Sequence, residues 1–222
     1  RQLRFKPMED FEPIGLINEV PMTLIGRGNL PPNNFKELLD YIKANKAKIS
    51  MANAGIGAAS HLCGMLFQSA IQTDLLTVPY KGTGPAMNDL LGGQVDFMCD
   101  QTTSTTNQIK AGKVKTYGVT TLTRVSSLPN IPTLEEQGLK GFNIAIWHGF
   151  YAPKGTPKAV VDKLSQALQE GLKDPVVKQR FNELGTDPVD PKRGTPEALR
   201  THLKSEIDKW APVIKKAGVY AD

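Results

Sequence analysis

Met51-Ala-Asn-Ala-Gly-Ile-Gly-Ala-Ala-Ser-His-Leu-Cys-Gly64 is the stretch around which the rest of the chain is arranged. The run Ile49-Ser50-Met51-Ala52 before it has the character of a short strand, and Leu62, Met65, Leu66, Ser69 and Ala70 after it recur at helical spacing. The segment therefore reads as strand, glycine loop, helix. Gly55 and Gly57 lack Cβ, so the backbone there can approach a guest closely. The first N–H groups of a helix starting near Ala58 have no intrahelical partner, and an anion can supply one. A tight turn whose glycines only let helix and strand pack explains the same pattern.

Outward from this loop, strands and helices alternate. Ile14 to Ile25 is a long, partly β-branched apolar run interrupted by Pro21, after an irregular opening at 1–13. Asn33 or Asn34 caps a helix whose stripe is Phe35, Leu38, Leu39 and Ile42, ending near Asn45. After the glycine-loop unit come strand Leu75–Tyr80, loop Lys81-Gly82-Thr83-Gly84 and a short helix Pro85–Leu91. Strand Val95–Cys99 leads into Asp100-Gln101-Thr102-Thr103-Ser104-Thr105-Thr106, a hydroxyl-rich turn able to cap a helix running to about Ala111. Strand Val114–Thr121 closes the block, and the alternation predicts a parallel, helix-covered sheet.

Beyond it, Leu128–Gly141 reads as a long connection with one short helix at Thr133–Gln137, and Phe142–Tyr151 as a second extended run. Three helices follow, starting at Thr156-Pro157, Asp174-Pro175 and Thr195-Pro196, each a capping residue followed by proline. The last carries the stripe Leu199, Leu203, Ile207 and Trp210, and Pro212 is expected to kink or end it. The two extended runs, Ile14–Arg27 and Phe142–Pro153, are expected to be neighbouring strands joining two lobes. Residues 1–21 and 149–222 would form a first lobe, and 22–148 a second lobe inserted into it. The first lobe lacks the parallel strands that its helices would cover, so a segment is expected to precede residue 1.

Composition bounds the function. With 222 residues, 40% hydrophobic, the chain can bury a sizeable core, and it has no apolar run near the ~20 residues that a membrane span needs. A soluble protein, or the mature part of one, is expected. The 27 Lys and Arg exceed the 22 Asp and Glu to give +5, but they are scattered over helix faces, as at Lys36, Lys43 and Lys48. Nucleic acid is therefore not an expected partner. Cys63 and Cys99 have no metal-ligand spacing and no disulfide framework around them, so both are expected to be unpaired, buried thiols. No G-x-S-x-G, phosphate-loop lysine or H-E-x-x-H pattern is present, so no enzyme and no cofactor are expected.

Many separate stretches, in order, resemble one family. They are Met8-Glu-Asp-Phe-Glu-Pro13, Ala52 to Phe67, Val78-Pro-Tyr-Lys-Gly-Thr-Gly-Pro-Ala86, Asp89-Leu-Leu-Gly-Gly-Gln-Val-Asp96 and Ile109-Lys-Ala-Gly-Lys113. Leu128-Pro-Asn-Ile-Pro-Thr133, Trp147-His-Gly149, Ala152-Pro-Lys-Gly-Thr-Pro157 and Gly194-Thr-Pro-Glu197 follow. The chain resembles the Bug-type extracytoplasmic solute receptors of tripartite tricarboxylate transporters. That resemblance implies an α/β, type II periplasmic-binding-protein fold: two parallel-sheet lobes joined by two crossing strands, the first lobe incomplete here. It implies a periplasmic, monomeric receptor that captures a small carboxylate-bearing molecule between the lobes and delivers it to membrane permease subunits. A ligand-sensing effector domain of a transcription regulator shares the fold and is the alternative.

The implied ligand contacts lie at three helix starts: Asn53, Ala54, Gly55, Ile56, Gly57 and Ala58; Gly82, Thr83 and Gly84; and Asp100, Gln101, Thr102 and Thr103. All three follow strand C-terminal ends, where open α/β sheets place ligands. Trp147, on the return strand, completes the set. Asp100 is expected to order donors or accept from the ligand, His61 to be structural, and His148 is ambiguous. Where relatives commonly have Ser-Ser-Gly-Asn-Gly-Ser, this chain has Asn53-Ala-Gly-Ile-Gly-Ala58, which keeps the backbone donors and loses most side-chain ones. An apolar mono- or dicarboxylate is then expected to bind better than citrate or an amino-dicarboxylate. Relatives open with a further βα segment supplying part of the ligand site, so residues 1–222 alone are expected to bind weakly.

Overall fold

The computed structural model describes residues 5–45 and 48–217. The strands are β1 (Phe11–Arg27), β2 (Ser50–Asn53), β3 (Leu76–Pro79), β4 (Phe97–Gln101), β5 (Val114–Val119), β6 (Ala145–Pro153) and β7 (Asp187–Pro188). The helices are α1 (Phe35–Asn45), α2 (Ala59–Ile71), α3 (Thr83–Leu91), α4 (Thr102–Lys110), α5 (Lys158–Gly171), α6 (Pro175–Glu183) and α7 (Pro196–Ala217). The chain is thus α/β.

The strand order is β3-β2-β4-β1-β5, with β6 and β7 also pairing to β1. β2 lies parallel to both β3 and β4, as alternation requires, but β1 is antiparallel to β4 and β5. The sheet is therefore mixed rather than wholly parallel, because the long opening strand is taken in between two strands of the βα block. β1 runs straight through Pro21. Just beyond it, Thr120 replaces ladder partners: its Oγ1 accepts from Met22 N–H at 3.0 Å and donates to Ile144 O at 2.6 Å.

The chain forms two compact units. One comprises 20–146 together with 184–186; the other holds the described parts of 1–19, 147–183 and 187–222. The chain passes from one to the other within β1 and within β6, and the sequence gives no hint that Leu184–Thr186 belongs with the βα block. In the block, Ile25, Ala52, Ala86, Leu90 and Met98 form a buried cluster, and Phe67 of α2 meets Phe97 of β4 edge-on at 6.1 Å. In the other unit the buried residues Leu16, Leu172, Val189 and Leu199 pack together.

Two local expectations are corrected and a third is narrowed. The buried face of α2 is Ser60, Cys63, Gly64 and Phe67, whereas Leu62, Met65 and Leu66 are half-buried and Ser69 and Ala70 are exposed. The rotation follows from Gly64, whose bare Cα lets Met51 pack in, with room for a Cβ only 3.2 Å from its Sδ and Cε. Pro212 lies inside α7 without ending it; it is exposed, so the carbonyl it leaves without a partner can be hydrated. Thr133–Gln137 forms turns rather than a helix, although Thr133 and Glu136 exchange reciprocal capping bonds at 2.6 and 2.9 Å.

The cysteine expectation is overturned. Cys63 and Cys99 form a disulfide, with Cα atoms 6.1 Å apart. One lies on the buried face of α2 and the other in β4, on which α2 packs, and that juxtaposition leaves no trace in the spacing of only two cysteines.

Candidate functional site

The three glycine- and hydroxyl-bearing loops end on adjacent strands, since β3, β2 and β4 neighbour one another in the sheet. Each strand hands over to a helix, α3, α2 and α4 respectively, and none of the three has a side-chain cap. Elsewhere capping is used. Asn34 Oδ1 accepts from Glu37 N–H at 2.9 Å, Asp174 Oδ1 from Val176 N–H at 2.7 Å, and Thr195 Oγ1 from Ala198 N–H at 3.2 Å. Helix α5 is the exception, since Pro157 is itself the N-cap residue and Thr156 turns its hydroxyl to Pro153 O. Among the described residues, no hydrogen bond engages the N–H groups of Ala59, Ser60, Thr83, Gly84, Thr102 or Thr103.

The loops are tied to one another. Gly82 N–H donates to Ala54 O at 2.9 Å, and Thr83 Oγ1 donates to Asp100 Oδ2 at 2.8 Å. Asp100 is 2% exposed and also accepts from Gln101 N–H at 2.7 Å. Burial pushes its carboxyl up, and the Gln101 and Thr83 donors pull part of the way back. Its oxygens are thus committed to the first residue of α3 and to the Gln101 backbone.

Within the glycine loop, Asn53 Oδ1 accepts from Gly55 N–H at 2.9 Å and Ser60 Oγ from Ala54 N–H at 2.8 Å. His61 Nδ1 accepts from Gly57 N–H at 3.2 Å, which fits a structural histidine. Gly55 has φ +127°, and a Cβ there would lie 3.0 Å from Tyr80 O, so this turn admits only glycine without strain. Asn53 Nδ2 is buried with no hydrogen-bond partner among the described residues. Ile56 is 50% exposed, so its side chain is not packed away behind the loop. Ala54 and Ala58 offer no side-chain donors.

Three expected residues behave differently. Gln101 is the N-cap residue of α4 but supplies no cap; its amide reaches Ser104 Oγ at 3.4 Å. Thr102 is fully buried and its hydroxyl donates to Gly185 O at 2.7 Å, leaving only its N–H for a guest. Thr103, half-buried, retains both groups. Trp147 belongs to the other unit, where its ring stands edge-on to His202 at 4.9 Å. Gly185 itself was invisible in the sequence, because its contact with Thr102 spans 83 residues.

Residues 1–219 match the family described as the tripartite tricarboxylate transporter family receptor, TctC. The chain belongs to that family. An Agrobacterium vitis relative, a UPF0065 protein encoded in the TAR-I ttuE-ttuC' intergenic region, is 50% identical over 216 residues, covering 97% of this chain and 62% of its own. The periplasmic binding protein BugD superposes with a TM-score of 0.92 at 58% identity, over 98% of this chain and 73% of its own. MatC of Rhodopseudomonas palustris, solved with bound malate, gives 0.89 at 34% identity, over 96% and 73%. The chain spans about six tenths of the length of the curated relatives that it matches first. The TctC family is one of receptors rather than enzymes, and among the described residues no helix is long and apolar enough to cross a membrane.

Proposed function

We propose that the protein is an extracytoplasmic solute receptor that takes a small carboxylate at the starts of α2, α3 and α4 and delivers it to the permease subunits of a tripartite tricarboxylate-type transporter. The observation that carries this reading is the set of uncapped helix starts on adjacent strands, bonded to one another through Ala54, Gly82, Thr83 and Asp100. Their free N–H groups and aligned dipoles favour a carboxylate without any cationic side chain. The malate bound by MatC supports the same ligand class. On this reading the two compact units are the receptor's lobes. The periplasm is the proposed compartment, because disulfides such as Cys63–Cys99 persist where the environment oxidises. The receptor works as a monomer.

Ile56 refines the ligand. A half-exposed isoleucine between two glycines rewards hydrocarbon at about 25 cal/mol per Å² buried, whereas a hydroxyl or amino group pressed against it loses its water at roughly 1–3 kcal/mol. Adipate should therefore outbind malate, citrate and glutamate. Calorimetric titration of the full-length protein with these four acids tests both steps. Binding of none of them defeats the receptor reading; citrate or glutamate binding best, with a ranking unchanged in Ile56→Asn, defeats the assignment of Ile56.

A further inference from the structure

The Cys63–Cys99 disulfide sits between two of the bonds that hold the helix starts. Cys63 lies one turn after Ser60 on the buried face of α2, and Ser60 Oγ holds Ala54 N–H at 2.8 Å. Cys99 immediately precedes Asp100 in β4, and Asp100 holds Thr83 Oγ1, the first residue of α3, at 2.8 Å. The chain between the cysteines, which are 36 positions apart in sequence, contains all of β3 and α3. β3 is a four-residue strand at the end of the sheet order, and Leu76, Thr77 and Pro79 within it are exposed. A short edge strand with little buried surface is the part of a sheet that opens first.

We infer that this disulfide is a positioning brace for the ligand site: it fixes the starts of α2, α3 and α4 relative to one another and so sets ligand affinity, beyond what it adds to global stability. Closing 63–99 covalently restricts the loop that β3 and α3 form when they leave the sheet, and so disfavours that opening and the displacement of Gly82–Gly84 that goes with it. Cys63 and Cys99 are 1% and 0% exposed, which keeps the bond from reductants in the folded protein and makes it a fixed brace rather than a switch. The ligand-affinity part rests on the receptor reading above; the mechanical part does not.

Two experiments separate them. In the full-length protein, Cys63→Ala/Cys99→Ala and the better-filling Cys63→Val/Cys99→Ala are titrated with adipate well below their unfolding temperatures. The expected result is an affinity reduced about tenfold or more in both, because displaced donors lose preorganisation. A purely structural bond would lower only the unfolding temperature, and binding within twofold of the parent overturns the inference. Hydrogen exchange on the unaltered protein gives the second readout and needs no variant to fold. The amides of α3 should exchange in one cooperative unit with those of α2 and β4; a separate, much faster opening of α3 overturns the brace. If the parent binds none of malate, adipate, citrate or glutamate, the receptor reading fails while exchange still decides the brace.

Discussion

At Gly185 the backbone has φ +76°, and a Cβ would come within 2.5 Å of Thr106 Oγ1 and 2.9 Å of Thr102 Cβ. Gly185→Ala therefore meets both backbone strain and a collision at the start of α4, and should cost roughly 2–4 kcal/mol in urea unfolding. Ser60 gives a second test. It is 3% exposed and supplies the acceptor for Ala54 N–H. Ser60→Ala should leave that buried donor unpaired at about 1–3 kcal/mol and loosen the glycine loop, readable as lost stability together with weaker acid binding. Part of this is legible in the sequence. Gly55, Ile56 and Asp100 were legible because loop glycines, an out-of-place isoleucine and a strand-end aspartate are local signals. Thr102, Thr105 and Thr106 were not, since their hydroxyls serve Gly185 O, Thr23 Oγ1 and Leu184 O, partners about 80 residues away.

Among the elements, the helices are legible from periodicity and breakers even where, as in α2, α3, α4 and α5, no side chain caps the start. Asn34 and Glu37 form a reciprocal box, with Asn33 N–H donating to Glu37 Oε2 at 2.7 Å, and the box stands in the sequence as written. Asn34→Ala should destabilise α1 by about 1 kcal/mol and leave acid binding unchanged, a contrast with Ser60→Ala that the same two assays resolve. The strands were legible as runs but not as neighbours. Periodicity marks β1 as extended, yet only the fold decides that Leu24 faces Cys99 on one side and Gly118 on the other. The same limit hid the disulfide and the role of 184–186. Each depends on which face of α2 or α4 is turned inward, and glycines at 64 and 185 set that by admitting a neighbour where a side chain would not fit.

For the whole molecule, the three histidines give a pH dependence with a definite sign. Burial holds His61, His148 and His202 below their ordinary value of 6.5. Two contacts agree with neutral rings: His61 Nδ1 accepts a backbone N–H, and His202 Nε2 is buried without a partner among the described residues. As pH falls through 6.5 the unfolded chain takes up protons before the folded one, so stability present above about 6.5 is lost on acidification. Glu19, held below its ordinary 4.5 chiefly by its bond from Arg193, joins only at lower pH. Asp100 acts oppositely, since its carboxyl is raised above 3.8 and its contribution is present at low pH and lost as pH rises through its folded value. The unfolding temperature should therefore be lower at pH 5.5 than at pH 7.5. Net charge of +5 also grows on acidification, so a variant with all three histidines changed to glutamine separates the causes. Calorimetry at the two pH values should find most of the difference gone in that variant. An unfolding temperature equal or higher at pH 5.5 in the parent, or an undiminished difference in the variant, would show that these neutral, partly desolvated histidines do not set the acid limit of this fold.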